Sequence, residues 1–143
     1  MDVSPDSLDS LRRAAQQAVG AVWNPYSNFA VLAAVETVDG RYYGGANVEN
    51  ANFSLTKHAE ETAVLAAILD GALTRCGRRW LKAIYVTSPS IGAPCGGCRQ
   101  FINEFAAADA LWVGEAHGGD VIGGTFAELL PYGFGPEDLG IKA

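Results

Sequence analysis

Lys57-His58-Ala59-Glu60-Glu61 and Pro94-Cys95-Gly96-Gly97-Cys98-Arg99-Gln100 are the two stretches that the rest of the chain must serve. The first carries an imidazole with a carboxylate two residues on, and the second carries two thiols separated by two residues. One His and two Cys are three good ligands for a tetrahedral Zn²⁺ and leave a fourth position open, the arrangement of a catalytic centre rather than a structural one. Each piece alone has an ordinary reading. A lone His at a helix start is commonly a cap or a surface residue, and a lone C-x-x-C after a strand can be a redox dithiol. Together, with Glu60 close to His58 and Pro94 directly before Cys95, they favour the metal.

Both stretches are expected at helix N-termini that follow loops, where unpaired N–H groups and the helix dipole carry partial positive charge. Thiols in such places have lowered pKa values, so Cys95 and Cys98 are expected to ligate as thiolates. Gly96 and Gly97 allow the backbone to wrap closely round an ion. Glu60, beside the open coordination position, is placed to take a proton from a water whose pKa the ion lowers to about 7.

Outward from these stretches the chain reads as alternating elements. Ser4-Pro5-Asp6 opens a helix from about Asp6 to Val19, and Trp23-Asn24-Pro25-Tyr26 ends it. Phe29 to Val38 is a nearly continuous apolar strand, expected to be buried on both faces. Asp39-Gly40 then turns the chain into a partner strand at Arg41-Tyr42-Tyr43. Gly44 to Asn52 is turn chemistry. Thr56 is expected to cap a helix from Lys57 to Leu69, stopped by Gly71. Leu81 to Ser88 is a strand, Ser88-Pro89-Ser90-Ile91-Gly92-Ala93 a loop, Gly96 to Ala107 a helix, Leu111-Trp112-Val113 a short strand, and Thr125 to Leu130 a short helix before Pro131. This order implies an α/β domain with helices packed on the faces of a mixed sheet. Trp23, Trp80 and Trp112 read as packing residues, and His117 as a strand-end or turn residue.

The 143 residues make one domain, 49% hydrophobic and only 18% charged, a shortage of polar surface that points to subunit contacts. A net charge of −6 argues against a broad phosphate-binding face, so a small substrate is expected and nucleic acid is not. No apolar run is long enough to span a membrane, and Met1-Asp2-Val3-Ser4-Pro5-Asp6 lacks the basic and apolar regions of a secretory signal, which leaves a cytoplasmic address as the expectation. Three cysteines suit a reducing compartment, with Cys76 left over as a half-buried thiol near a helix end.

H-x-E followed by P-C-x-x-C is the signature of zinc deaminases acting on cytosine or adenine. More specific are Tyr26-Ser27-x-Phe29, Gly45-x-Asn47-Val48-Glu49-Asn50-Ala51 and Leu129-Leu130-Pro131-x-x-Phe134-Gly135-Pro136-Glu137-Asp138-Leu139. On these segments, from Tyr26 to Leu139, the chain resembles the short, homotetrameric cytidine deaminases. The resemblance implies a three-layer fold with a mixed five-stranded sheet, and one Zn²⁺ per chain held by His58, Cys95 and Cys98, with Glu60 as proton shuttle. It implies that Asn47 and Glu49 hold the ribose 3′-hydroxyl, that the Ala59 backbone meets the pyrimidine edge, and that Phe29 walls the base together with Phe134 from a neighbouring subunit. Phe53 stands where the family usually has Tyr, at another cross-subunit position. The implied reaction is hydrolytic deamination of cytidine and 2′-deoxycytidine, a step of pyrimidine salvage, in a tetramer whose sites lie at subunit interfaces. An amide and a carboxylate suit a neutral diol and repel a phosphate, so free nucleoside is favoured over nucleotide.

The chain departs from the short pattern at three points. The short enzymes usually read Cys-Ala-Glu-Arg where this chain has His58-Ala59-Glu60-Glu61, a ligand more usual in the longer dimeric type. One imidazole and two thiolates neutralise Zn²⁺, so no Arg is needed to offset excess charge. Glu61 is open to two readings: its carboxylate accepts the free ring N–H of His58, or it sits on the surface. Leu32, where Gly is common, adds a side chain to a buried strand and alters either packing or substrate preference, as does Phe53 for Tyr. Two rival functions follow. One is a related aminohydrolase of a modified cytidine or a blasticidin-type nucleoside. The other is a zinc-binding or dithiol redox module with no hydrolytic activity.

Overall fold

The computed structural model describes residues 3–90 and 92–142, so Met1, Asp2 and Ile91 of the segments read above lie outside the described residues. Between two helical layers runs β1 (Leu32–Thr37), and all six of its residues are buried, as continuous apolarity requires of a strand covered on both faces. β1 pairs antiparallel with β2 (Tyr42–Ala46) and β3 (Leu81–Ser88). β3 runs parallel to β4 (Ala106–Ala116), which pairs antiparallel with β5 (Val121–Thr125). The sheet order is β2-β1-β3-β4-β5, the mixed five-stranded sheet that the resemblance implies.

Alternation along β1 builds two cores. Leu32 and Ala34 face α1 (Pro5–Gln17), where they join Leu8, Leu11 and Ala15. Ala33 and Val35 face α2 (Ala59–Leu69) and α4 (Gly96–Asn103), where they join Ala63, Val64, Cys98 and Ile102. Leu32 therefore bears on packing against α1 and not on the face that carries the metal ligands. The short α3 (Ala72–Cys76) follows Gly71, and the left-over Cys76 is half-buried at its end.

Adjacent glycines on β2 admit both helical layers at backbone distance. A Cβ at Gly44 would lie 2.1 Å from the Ala14 carbonyl oxygen in α1, and one at Gly45 would lie 2.3 Å from the Ala59 carbonyl oxygen in α2. Successive strand residues point to opposite faces, so two neighbours in sequence serve two different helices.

Several boundaries differ from the sequence expectation. The strand expected from Phe29 begins only at Leu32, because the Asn47 carboxamide takes the place of a neighbouring strand: it accepts the Val31 N–H at 3.0 Å and donates to the Phe29 carbonyl at 2.8 Å. Thr56 does not cap α2. Lys57 and Val48 exchange two backbone hydrogen bonds of 2.9 Å, which holds Lys57 extended and moves the helix start to Ala59, with His58 as N-cap. The helix expected to Ala107 stops at Asn103, and Ala106 instead pairs with Leu81. β5 had no counterpart in the expected elements, and the helix expected from Thr125 is a single 3₁₀ turn, Phe126–Leu129. Trp80 and Trp112 are core residues as expected, whereas Trp23 is 58% exposed and packs into neither core.

Candidate active site

The two helices that begin at the starting stretches aim their N-termini at one point. His58 is the N-cap of α2 and Cys95 the N-cap of α4, with Cys98 one turn into α4. His58 Nδ1 lies 3.2 Å from Cys98 Sγ and 3.4 Å from Cys95 Sγ, and the three donor atoms all fall within 4.8 Å of one another. The Cys98 backbone N–H points at Cys95 Sγ at 3.4 Å, an approach that does not depend on the glycines as expected, since a Cβ at Gly96 would meet nothing within 4 Å and one at Gly97 only Cys95 Sγ at 3.9 Å. Both C-x-x-C cysteines are free thiols.

Burial pushes the Cys98 thiol well above its ordinary pKa, and the negative charges of Glu60 and Cys95 push it further. This reverses the expectation of a thiol acidified by the helix end: without a cation, desolvation outweighs the dipole. A divalent cation among these donors removes that cost, because a coordinating thiol is deprotonated by the ion itself. One imidazole and two sulfurs within reach of a common centre fit Zn²⁺ in both number and softness.

Glu60 is 5% exposed, on the first turn of α2, and lines the same cleft. Burial raises its pKa, opposed by its own backbone N–H and by the neighbouring Cys98 and His58. Glu61 does not reach the imidazole ring. Its Oε1 accepts the His58 backbone N–H at 3.0 Å, which fixes the residue carrying the ring rather than the ring itself.

The cleft is ≈ 500 Å³, a volume suited to a small molecule. His58, Ala59, Glu60 and Cys95 line one end, and Phe29, Asn47, Glu49 and Ser27 line another part. Two carboxylates and no Lys or Arg stand among its described lining residues. Asn47 is buried, its carboxamide using one N–H and one lone pair on the 29–31 backbone and keeping one of each for a ligand, and Glu49 accepts the backbone N–H groups of Tyr26 at 3.0 Å and Ser27 at 3.1 Å. Phe53 and Phe134 do not line this cleft. Phe53 is 72% exposed with its ring edge-on to Tyr26 at 5.6 Å, and Phe134 is 58% exposed with its carbonyl held by Gln100 and Asn103. Ser27 is one of several pocket residues to which sequence reasoning gave no role, although it stood inside a quoted motif. His117, at a turn after β4, donates its backbone N–H to the Ser88 carbonyl and lies apart from the three-donor set.

A mixed sheet layered by helices, with a soft three-donor set between two helix N-termini and a buried carboxyl beside it, defines the class of zinc-type nucleobase deaminases. The model of the cytidine and deoxycytidylate deaminase zinc-binding region matches residues 6–114. A cytidine deaminase of Sporosarcina psychrophila is 39% identical over 145 residues, covering 100% of this chain and 98% of that protein. The crystal structure of cytidine deaminase from Burkholderia pseudomallei superposes with a TM-score of 0.79 at 37% identity, covering 88% of this chain and 98% of that one. That of the Mycobacterium tuberculosis cytidine deaminase gives 0.72 at 36%, covering 94% and 99%. The chain belongs to the cytidine deaminase family.

Proposed function

We propose that this protein hydrolyses cytidine and 2′-deoxycytidine to the uracil nucleosides with release of ammonia. The observation that carries the reading is the meeting of His58, Cys95 and Cys98 beside a cleft lined by His58, Cys95 and the buried Glu60. His58, Cys95 and Cys98 would hold a Zn²⁺, which would supply Lewis-acid chemistry and lower the pKa of a water in that cleft. Glu60 takes a proton from the attacking water and gives it to N3 of the pyrimidine as C4 is attacked. It then transfers the second proton to the departing amine, so that water and cytidine become uridine and ammonia. A carboxyl whose proton affinity burial has raised is suited to both directions of transfer. The Ala59 backbone orients the pyrimidine edge, Phe29 walls the base, and Asn47 and Glu49 receive the ribose.

A free nucleoside, rather than a nucleotide, fits a cleft lined by two carboxylates and no cationic side chain, where a phosphate would meet only repulsion. Phe53 and Phe134, exposed and away from their own chain's cleft, serve the site of a neighbouring chain in a homotetramer, and Trp23, Tyr26 and Leu55 give the same surface further apolar area to cover. A reducing, cytoplasmic setting keeps the paired thiols available to the ion. The modified-nucleoside alternative loses one of its reasons because Leu32 faces α1. The dithiol alternative leaves the approach of His58 to both sulfurs, and the buried Glu60, without a purpose.

The test is incubation of the purified, zinc-loaded protein with cytidine, deoxycytidine, CMP and cytosine while ammonia is followed. Release from the two nucleosides and little from CMP is expected. Release from neither nucleoside overturns the reading.

A further inference from the structure

We infer that Ser27 is a positioning residue for the ribose end of the cleft, its single hydroxyl locking the Glu49 carboxylate and the Phe29 backbone into one unit. The Ser27 hydroxyl donates to Glu49 Oε2 and accepts the Phe29 N–H at 3.0 Å. The donor capacity of the hydroxyl and one of its two lone pairs are thus both used. The other carboxylate oxygen, Oε1, takes the N–H groups of Tyr26 and Ser27. Three hydrogen bonds fill three of the roughly four acceptor sites of an ionised carboxylate and leave one for a ligand hydroxyl.

The loop itself is built to hold this arrangement. Asn28, between Ser27 and Phe29, has φ +55°, a left-handed conformation that Asn tolerates better than most residues, and its N–H is tied to the Asn24 carbonyl at 3.0 Å. Strain at Asn28 is held in place by the bonds on either side of it. Without the Ser27 hydroxyl, Glu49 loses a charge-assisted partner and is held through Oε1 alone, so that Oε2 is no longer fixed, while the Phe29 N–H loses its acceptor. Ser27 is also the leading reason that Glu49 titrates below the ordinary carboxylate range.

This inference rests on the reading that Glu49 receives the ribose 3′-hydroxyl, and the experiment separates the two. Cytidine and 3′-deoxycytidine are compared as substrates of wild-type, Ser27→Ala and Ser27→Thr proteins, each checked for zinc content and thermal unfolding. For Ser27→Ala, kcat/KM for cytidine is expected to fall about tenfold, mostly through KM, with less than about a twofold change for 3′-deoxycytidine. Ser27→Thr, which keeps the hydroxyl, restores cytidine turnover. The acid limb of KM for cytidine moves to higher pH in Ser27→Ala, because a Glu49 without that partner takes up its proton earlier. An equal loss for the two substrates overturns the inference, since general damage to the loop produces that pattern, and so does an unchanged response to both. Wild-type protein that turns over the two substrates equally removes the ribose role of Glu49 and the inference with it, while wild-type protein that deaminates neither removes the function.

Discussion

Glu60 owes its character to where α2 begins: Lys57 is held extended by Val48, so the first helical turn sets the carboxyl inside the cleft rather than in water. Replacing it with Gln keeps size and hydrogen bonding but removes the proton carrier, so kcat should fall by at least about a hundredfold with zinc content unchanged, as measured by metal analysis beside turnover. Near-full activity in that variant would remove Glu60 from the mechanism. Glu61 acts one step back. Glu61→Ala removes the acceptor for the His58 N–H and should weaken zinc retention against a chelator, while Glu61→Gln, whose amide oxygen still accepts, should hold the metal nearly as wild type. A third carboxylate is purely structural. Glu115 on β4 accepts two hydrogen bonds from Arg12 on α1, at 2.8 and 2.9 Å, and one from Tyr85 at 2.6 Å, and these hold its pKa below the ordinary value of 4.5. A lowered folded-state pKa means that the stabilisation is full above that ordinary value and is lost as pH falls through the lowered one. Solvent reaches Arg12, so Glu115→Gln should cost only about 1 kcal/mol in denaturant unfolding at pH 7, and the gap from wild type should close in acid.

At the scale of elements, α2 matters more than its length suggests, because it carries His58 and Glu60 and lies directly on β2. Gly45→Ala forces a Cβ against the Ala59 carbonyl and should cost about 1–3 kcal/mol of stability, and it displaces the helix end that bears the ligands. Gly44→Ala meets α1 instead and should cost a similar amount. Only Gly45→Ala is expected to lower zinc affinity, so equal affinities in the two variants would show that the helix end does not depend on this contact. The same element scale explains which boundaries were legible. Leu81 to Ser88 was readable as a strand because β-branched and apolar residues fill it and polar loops bound it. Ala106 and Ala107 read as the end of a helix by propensity, yet the pairing of Ala106 with Leu81 on β3 places them in a strand, a tertiary override of a weak local preference. β5 was hidden because Gly123 and Gly124 are poor strand formers.

For the whole molecule, a bound ion and the proposed assembly would each add stability. A Zn²⁺ bound by the folded chain stabilises it by mass action, about 2.7 kcal/mol at a hundredfold excess over Kd, or roughly 5–10 °C in Tm for a domain of this size. Chelation should lower Tm by that amount, and Cys95→Ser protein should show no response to added zinc. Among the described residues no helix is long and apolar enough to cross a membrane. If Phe134 completes a neighbour's site, Phe134→Ala and Glu60→Gln proteins, each weak alone, should recover activity when refolded together, through sites that combine an intact Glu60 with an intact Phe134. No recovery, with a sedimentation mass of 15.0 kDa, would show a site made by one chain.

The sequence by itself determined the donor types and the α/β class, because donor chemistry and hydrophobic period are local properties that survive without coordinates. It also marked Asn47 and Glu49. Only the tertiary structure decided that Asn47 anchors its amide on the 29–31 backbone, that Glu61 holds the His58 backbone and not its ring, that Leu32 faces α1, and that Ser27 ties Glu49 to Phe29. Each of these depends on a partner far along the chain or on which side of a strand or helix a group emerges. A hydrogen bond between two loops follows from how the layers stack, and no local pattern encodes that distance.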